Sequence, residues 1–329
     1  MGQLPSSNHP VSATAAAAPA TFSSALARWG GATIFPTTRA NSLLDVLHVY
    51  HPDLMEAPNS TGYAFDSKRQ RDLVWKRRQY YSQWMEDCRI RALIEAADAN
   101  TPDDLLGGNV FLEMGALDGI RYSNTLALEM VGWRGVLIEA NPSNCHQLKD
   151  NRRSGRAVNI CAGVCAAGGG SLEFELVKSA TSRMVSMPLP PDATAAQRAK
   201  RIQVPCLPLG QILRDLAVTR LTYFSLDVEG AELSVLRTLD WASVRIDVLQ
   251  WECNHKSECA SVKSLLVSQG MRPIGRNAHD HVWISGEFAR RLGNTTFEMV
   301  ADRACPVFNG QQPGRTKQIL SRGFAWKSG

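Results

Sequence analysis

The chain has 329 residues, 44% of them hydrophobic and 20% charged, and its 36 basic and 31 acidic side chains leave a net charge of +5. That is enough apolar material for a sizeable core, which excludes disorder throughout, and the charge excess is too small to imply a nucleic-acid partner. No apolar run approaches the ~18 residues needed to cross a bilayer, so the chain reads as soluble, with at most weak peripheral membrane contact.

Residues 1–44 contain no Asp or Glu and are rich in Ala, Ser, Thr and Pro. Nothing there has the periodicity of a core helix, and residues 1–65 are expected to form a mostly disordered leader. Two special readings stay open beside plain disorder. An acid-free, hydroxyl-rich leader resembles an organelle transit segment. Met1-Gly2-Gln3-Leu4-Pro5-Ser6 also fits the N-myristoylation pattern. The expected location is the cytoplasm, or an organelle stroma if residues 1–44 are a transit segment.

Between 66 and 104 the character changes. Trp75, Tyr80, Tyr81, Trp84, Cys88, Leu93 and Ile94 recur about three and four apart with Lys and Arg between them. This spacing predicts amphipathic helix that packs on a core. From Val110 onward, strands alternate with helices. Strands are predicted at Val110–Met114, Gly135–Glu139, Ala157–Cys161, Ser171–Leu176, Leu221–Asp227 and Ile246–Trp251. Helices are predicted at Thr125–Met130, after Asn141-Pro142-Ser143, at Ala231–Leu239 and at Ser257–Gln269, and 271–274 with 281–284 form a closing hairpin. Such alternation predicts a doubly wound, mostly parallel α/β sheet with helices on both faces, over residues 105–290. The Pro-rich stretch 178–200 reads as a loop over the ligand side or a surface insertion. Residues 291–329 form a basic extension, with Arg303, Arg315, Lys317, Arg322 and Lys327 and no acid after Asp302. The eight cysteines include no CxxC pair, and they read as buried free thiols in a reducing compartment.

The first strand runs into Glu113-Met114-Gly115-Ala116-Leu117-Asp118-Gly119, a turn whose glycines allow sharp bending and close approach to a ligand. Glu139 follows Gly119 by 20 positions, at the end of the second strand, where an acid can accept both hydroxyls of a ribose. A dinucleotide site needs Gly-x-Gly-x-x-Gly to carry a pyrophosphate. Here the spacing is Gly-x-x-x-Gly, and Glu113 and Asp118 would repel that group. Two carboxylates suit a cationic nucleoside, and S-adenosylmethionine fits.

A second cluster forms at later strand ends. Asp227 and Glu229 close one strand, and Glu252, Asn254 and His255 close the next. A carboxylate or His255 there can take a proton from an acceptor hydroxyl. The alternatives are that the same oxygens hold Mg²⁺, which is not favoured, or that Asp227 or Glu229 caps the helix near Gly230. Asn124 either caps the helix beginning at Thr125 or contacts the methionine carboxylate.

Five blocks in order carry a family resemblance: Phe111 to Gly119, Tyr122-Ser123-Asn124-Thr125, Gly132 to Pro142, Val204 to Leu209, and Ser225-Leu226-Asp227-Val228-Glu229-Gly230-Ala231-Glu232. They resemble the FkbM-type S-adenosylmethionine-dependent methyltransferases over about residues 81–284. The resemblance implies a class I methyltransferase fold, a seven-stranded sheet whose last strand is antiparallel. It implies O-methylation of a hydroxyl on a small molecule, sugar or glycan. Glu113, Gly115, Asp118, Gly119, Asn124, Glu139, Asn141 and Asp227 would contact the cofactor, and Asp227, Glu229, Glu252 and His255 would serve the reaction. The third strand lacks the usual adenine-binding acid, so backbone around Cys161-Ala162-Gly163-Val164 would take that place. The alternative reading is a catalytically inactive fold relative that acts as an interaction or trafficking module.

Overall fold

The computed structural model describes residues 33–36, 47–50, 80–99, 108–152, 154–166, 170–176, 183–184, 192–198, 200–254, 256–277 and 279–305. In chain order these form β1 (Thr33–Pro36), β2 (Leu47–Tyr50), α1 (Glu86–Asp98), β3 (Val110–Met114), α2 (Leu126–Met130), β4 (Arg134–Ile138), α3 (Pro142–Asn151) and β5 (Ala157–Ile160). Then come β6 (Gly163–Val164), β7 (Gly170–Glu175), β8 (Arg183–Met184), α4 (Ala195–Arg198), β9 (Arg201–Leu207), α5 (Leu209–Asp215) and β10 (Arg220–Leu226). The last are α6 (Glu232–Leu236), β11 (Arg245–Glu252), α7 (Lys256–Ser268), β12 (Met271–Asn277), β13 (Asp280–Ser285), α8 (Gly286–Leu292) and α9 (Phe297–Ala304).

The main sheet has the order β12-β13-β11-β10-β3-β4-β5-β1-β2. β11, β10, β3, β4 and β5 run parallel, while β13 is antiparallel to both of its neighbours. The seven strands β12 to β5 are therefore the expected class I arrangement, reversed strand included. Each central strand is apolar on both faces because helices cover both. Phe111, Leu137 and Tyr223 point to the layer with α1, α3 and α8, whereas Leu112, Val136 and Phe224 point to the layer with α5, α6 and α7. The order reverses between β3 and β10, which opens a crevice at their carboxyl ends.

Several regions differ from the sequence expectation. β1 and β2 fall inside the stretch read as a leader, and they extend the sheet beyond β5. β9 and α5 were not anticipated, because Pro205 and Pro208 interrupt an otherwise apolar run and demote it as a strand. β9 joins β6, β7 and β8 in a second, four-stranded sheet. The boundary expected at 290 falls inside α8, and α9 follows. The helix expected before residue 80 lies outside the described residues, as does most of 178–200.

The cysteine reading is overturned. All eight are paired: Cys88–Cys305, Cys145–Cys161, Cys165–Cys206 and Cys253–Cys259, with Cα–Cα separations of 5.6 to 5.9 Å. Those spans suit disulfides. Partners stand as many as 217 positions apart in the chain, so only the fold reveals them.

Candidate functional site

β3 delivers Glu113 and then turns at Gly115, whose φ is +80°. A Cβ at Gly115 would lie 1.9 Å from the Asp227 carbonyl oxygen, so only glycine lets the two turns touch. The amides of Gly115 and Ala116 donate to the Ile138 carbonyl at 3.1 and 3.2 Å, which pins the turn to β4.

Glu113 is 3% exposed, and its carboxylate is well supplied with donors. The Asn124 amide donates to Oε1 at 2.7 Å, and the Ser123 and Thr125 hydroxyls donate to Oε2 at 2.9 and 2.5 Å. Arg152 stands 3.9 Å away and is fully buried, with a guanidinium that also bonds Glu129 and the Gly119 carbonyl. Burial pushes the Glu113 carboxyl above its ordinary range, while Arg152 and these donors pull it back. Glu113 thus organises the start of α2 as well as the cavity wall. Ser123 supports the same turn, its oxygen accepting from the Thr125 and Leu126 amides, while the N-cap position is Thr125. Asn124 is freed from capping and donates from Nδ2 to Ser225 Oγ at 2.9 Å.

Glu139 follows β4. Its Oε1 accepts from the Asn141 amide at 2.7 Å and its Oε2 from the Leu117 amide at 2.8 Å. The Asn144 side chain donates to the same carboxylate, which leaves it about one acceptor position for a ligand. Desolvation raises its carboxyl to about 7, against the pull of those donors. Asn141 is the N-cap of α3, its Oδ1 accepting from the Ser143 amide at 3.0 Å, with Pro142 in the first turn.

A cavity of about 460 Å³ occupies the crevice. Glu113, Gly115, Leu117, Asn124 and Glu139 line it from the ends of β3 and β4 or the segments after them, and Asp227, Glu229 and Glu252 from those of β10 and β11. Ala162, Gly163 and Val164 form part of the wall, with Leu172 and Phe174 of the second sheet. Gln83 and Tyr122 reach it as well. Asp118, Gly119 and Asn141 are absent from the wall. Asp118 instead accepts from the Ile120 and Arg121 amides. Gly119, with φ +79°, leaves room for Arg152 and Leu148, each 2.6 Å from where a Cβ would stand. Both residues shape the turn from behind. Asn144, Leu172 and Phe174 were missed by sequence reading; only Asn144 left a signal there, one turn after the Asn141 cap on the same helix face.

Asp227, Glu229 and Glu252 each offer an oxygen within 4.8 Å of the others, a spacing that a divalent cation would also accept. Asp227 opens onto the cavity, yet sits deep in the crevice. Desolvation there, and then the charges of Glu252, Asp280 and Glu229, push its carboxyl well above the ordinary range. Glu229 takes a left-handed φ of 55°. The turn before α6 is held by Glu232, whose Oε1 accepts from the Val228 and Gly230 amides at 3.1 and 3.2 Å. Glu232 thus secures the turn itself, and the N-cap position of α6 is Ala231, not Asp227 or Glu229. Asn254 donates to Glu252 at 2.6 Å. His255 lies outside the described residues.

The profile of the methyltransferase FkbM domain matches residues 113–281. The chain is similar to a solved human methyltransferase 10 domain containing protein, at 13% identity over 60% of this chain and 82% of that one, with a TM-score of 0.33. It is similar to a putative RNA methyltransferase from Pyrococcus horikoshii, at 10% identity over 67% and 98%, with a TM-score of 0.31. It is also similar to the N-terminal domain of EvdMO1 with S-adenosylhomocysteine bound, at 14% identity over 62% and 80%, with a TM-score of 0.29. No curated protein sequence matches the chain. No helix among the described residues is long and apolar enough to cross a membrane. The profile spans half of the chain, and the protein belongs to the FkbM methyltransferase domain family, carrying an S-adenosylmethionine-dependent methyltransferase domain.

Proposed function

We propose that the protein methylates a hydroxyl oxygen on a small molecule, sugar or glycan. The carrying observation is one cavity with two carboxylate groupings, Glu139 beside the glycine turn and the Asp227 cluster across from it. The lining fits the cofactor. Glu139 keeps acceptor capacity for a ribose hydroxyl while its backbone partners and the Asn144 side chain hold it still. Asn144 stands beside it. Ala162, Leu172 and Phe174 offer an apolar surface for a base, and Glu113 and Asn124 bracket the turn where an amino acid moiety would lie. When bound, S-adenosylmethionine supplies a methyl group already activated by its sulfonium.

The remaining work falls to this chain's own groups. Asp227 accepts the proton of the acceptor hydroxyl. A carboxyl whose pKa is raised is the stronger base for that task once ionised. Glu252 and Glu229 keep it basic by facing it with negative charge. Gln83 and Tyr122 border the acceptor side, and the wall from the second sheet excludes water and fixes alignment, which is a large part of any bimolecular transfer.

The test is calorimetric titration with S-adenosylmethionine, S-adenosylhomocysteine and NADH, followed by a labelled-methyl screen of hydroxylated acceptors with and without a chelator. Binding of both adenosyl ligands and a base-stable methyl ether on the product support the reading. Label on nitrogen refutes O-methylation, and adenosyl binding with no transfer to any acceptor favours the interaction module. Loss of transfer with the chelator assigns hydroxyl activation to a metal instead of Asp227.

A further inference from the structure

Two independent features point to a chemical environment unlike the cytoplasm. The first is that no thiol is left over, since all eight cysteines are joined. The bridges span the domain: Cys88–Cys305 ties α1 to the end of α9, and Cys145–Cys161 ties α3 to the residue after β5. Cys165–Cys206 ties the second sheet together, and Cys253–Cys259 ties the end of β11 to α7. Complete pairing of this kind forms and persists under oxidising conditions.

The second feature is Asn294-Thr295-Thr296, an Asn-x-Thr acceptor sequence for N-linked glycans. It occupies the turn between α8 and α9. Asn294 is exposed, and its side-chain amide makes no hydrogen bond among the described residues. Gly293 before it has φ +64° and open space around it. Two residues beyond Gly293, Thr295 continues the exit from α8 by donating its amide to the Leu292 carbonyl. Close by, Arg291 is bound to Asp98 and to Asp247, near the amino end of β11. The turn therefore lies away from the carboxyl-end crevice, and a glycan there leaves the cavity open. Another such sequence, Asn59-Ser60-Thr61, lies outside the described residues.

We propose that Asn294 carries an N-linked glycan and that the chain folds in an oxidising, glycosylating compartment. In the modification, the Asn294 amide nitrogen bonds to the anomeric carbon of an oligosaccharide carried on a polyprenyl diphosphate. The carbon–oxygen bond to the diphosphate breaks, and the lipid diphosphate leaves with the amide proton. Each disulfide forms as two thiols give up two protons and two electrons to a disulfide-bearing oxidoreductase, which is reduced to its dithiol.

The test uses the full chain isolated from the cells that make it, lysed in N-ethylmaleimide. Peptides are mapped without reduction, and a second portion is treated with peptide N-glycosidase in heavy-oxygen water. The expected result is heavy-oxygen aspartate at 294, a Cys88–Cys305 linked peptide and no maleimide on any cysteine. Recovery of unmodified Asn294 overturns the glycan site, and maleimide on all eight cysteines overturns the compartment. When the full chain is sent through a eukaryotic secretory pathway, Asn294→Gln is expected to migrate one glycan faster than the parent. Equal migration contradicts the assignment.

Discussion

At the β3–β4 end of the cavity every carboxylate is answered by donors. Glu113 receives an amide, two hydroxyls and the neighbourhood of Arg152, and Glu139 receives two amides. At the β10–β11 end, the charges facing Asp227 are other carboxylates, Glu252, Asp280 and Glu229. The first end is built to stay put. The second is built to hold negative charge badly, and that costs stability which the first end and the two apolar layers must supply. On the proposed reading, recognition and reactivity fall to different strand pairs lining one space.

The widest separation of the two ends is expected from Asp227→Asn. Loss of a positioned base lowers kcat by about 10²–10⁴-fold, while affinity for S-adenosylhomocysteine stays near that of the parent. In the parent, transfer rises with pH as the cluster ionises. Glu252→Gln removes a facing charge and moves that rise to lower pH, readable in a kcat profile. Next comes Arg152→Met, which strands Glu129 in the interior. Breaking a buried pair in this way costs about 3–5 kcal/mol, to be seen in urea unfolding. Glu139→Ala removes a charged acceptor, worth about 1.5–3 kcal/mol for such bonds, so adenosyl binding weakens about 10- to 100-fold by calorimetry with the fold intact.

A separate effect, on stability alone, concerns Glu86, at the start of α1. Burial, and then the charge of Asp280, raise its carboxyl to about 8 from 4.5. A group whose folded value is raised adds stability below its unfolded value, and that contribution is lost as pH rises through the folded one. Stability should fall as pH rises from about 4.5 to about 8, and Glu86→Gln should flatten this slope in thermal melts. A melt of the variant that keeps the parent's slope would remove Glu86 as the source of that slope.

The sheet was legible because its strands are continuous apolar runs punctuated by glycine or proline, a pattern that local sequence carries. Glu139 was legible for a related reason: a fixed distance after a glycine turn places an acid at a strand end. Of the second sheet only β7 was legible, as the strand expected at Ser171–Leu176, since Pro205 and Pro208 mask its partner β9. The donors of Glu113 and the turns held by Ser123 and Glu232 depend on atoms meeting across turns, which spacing does not reveal. Asp118 and Gly119 belong to the same motif as Gly115, yet serve it from behind, since a motif records who is needed and not which way each side chain faces. The cysteines failed for the reason that Cys88 and Cys305 illustrate: their pairing is a property of the closed domain.

The Asp227 amide donates to the Met114 carbonyl at 3.2 Å, and Gly115 lies against the Asp227 carbonyl with no room for a methyl group. The turns after β3 and β10 thus form a single joint in the main chain. On the proposed reading, that joint holds donor and acceptor at a fixed gauge, the same for every acceptor. New acceptors can then be accommodated by reshaping the outer walls, the strands carrying Leu172 and Phe174 and the segment carrying Gln83, while the gauge stays unchanged.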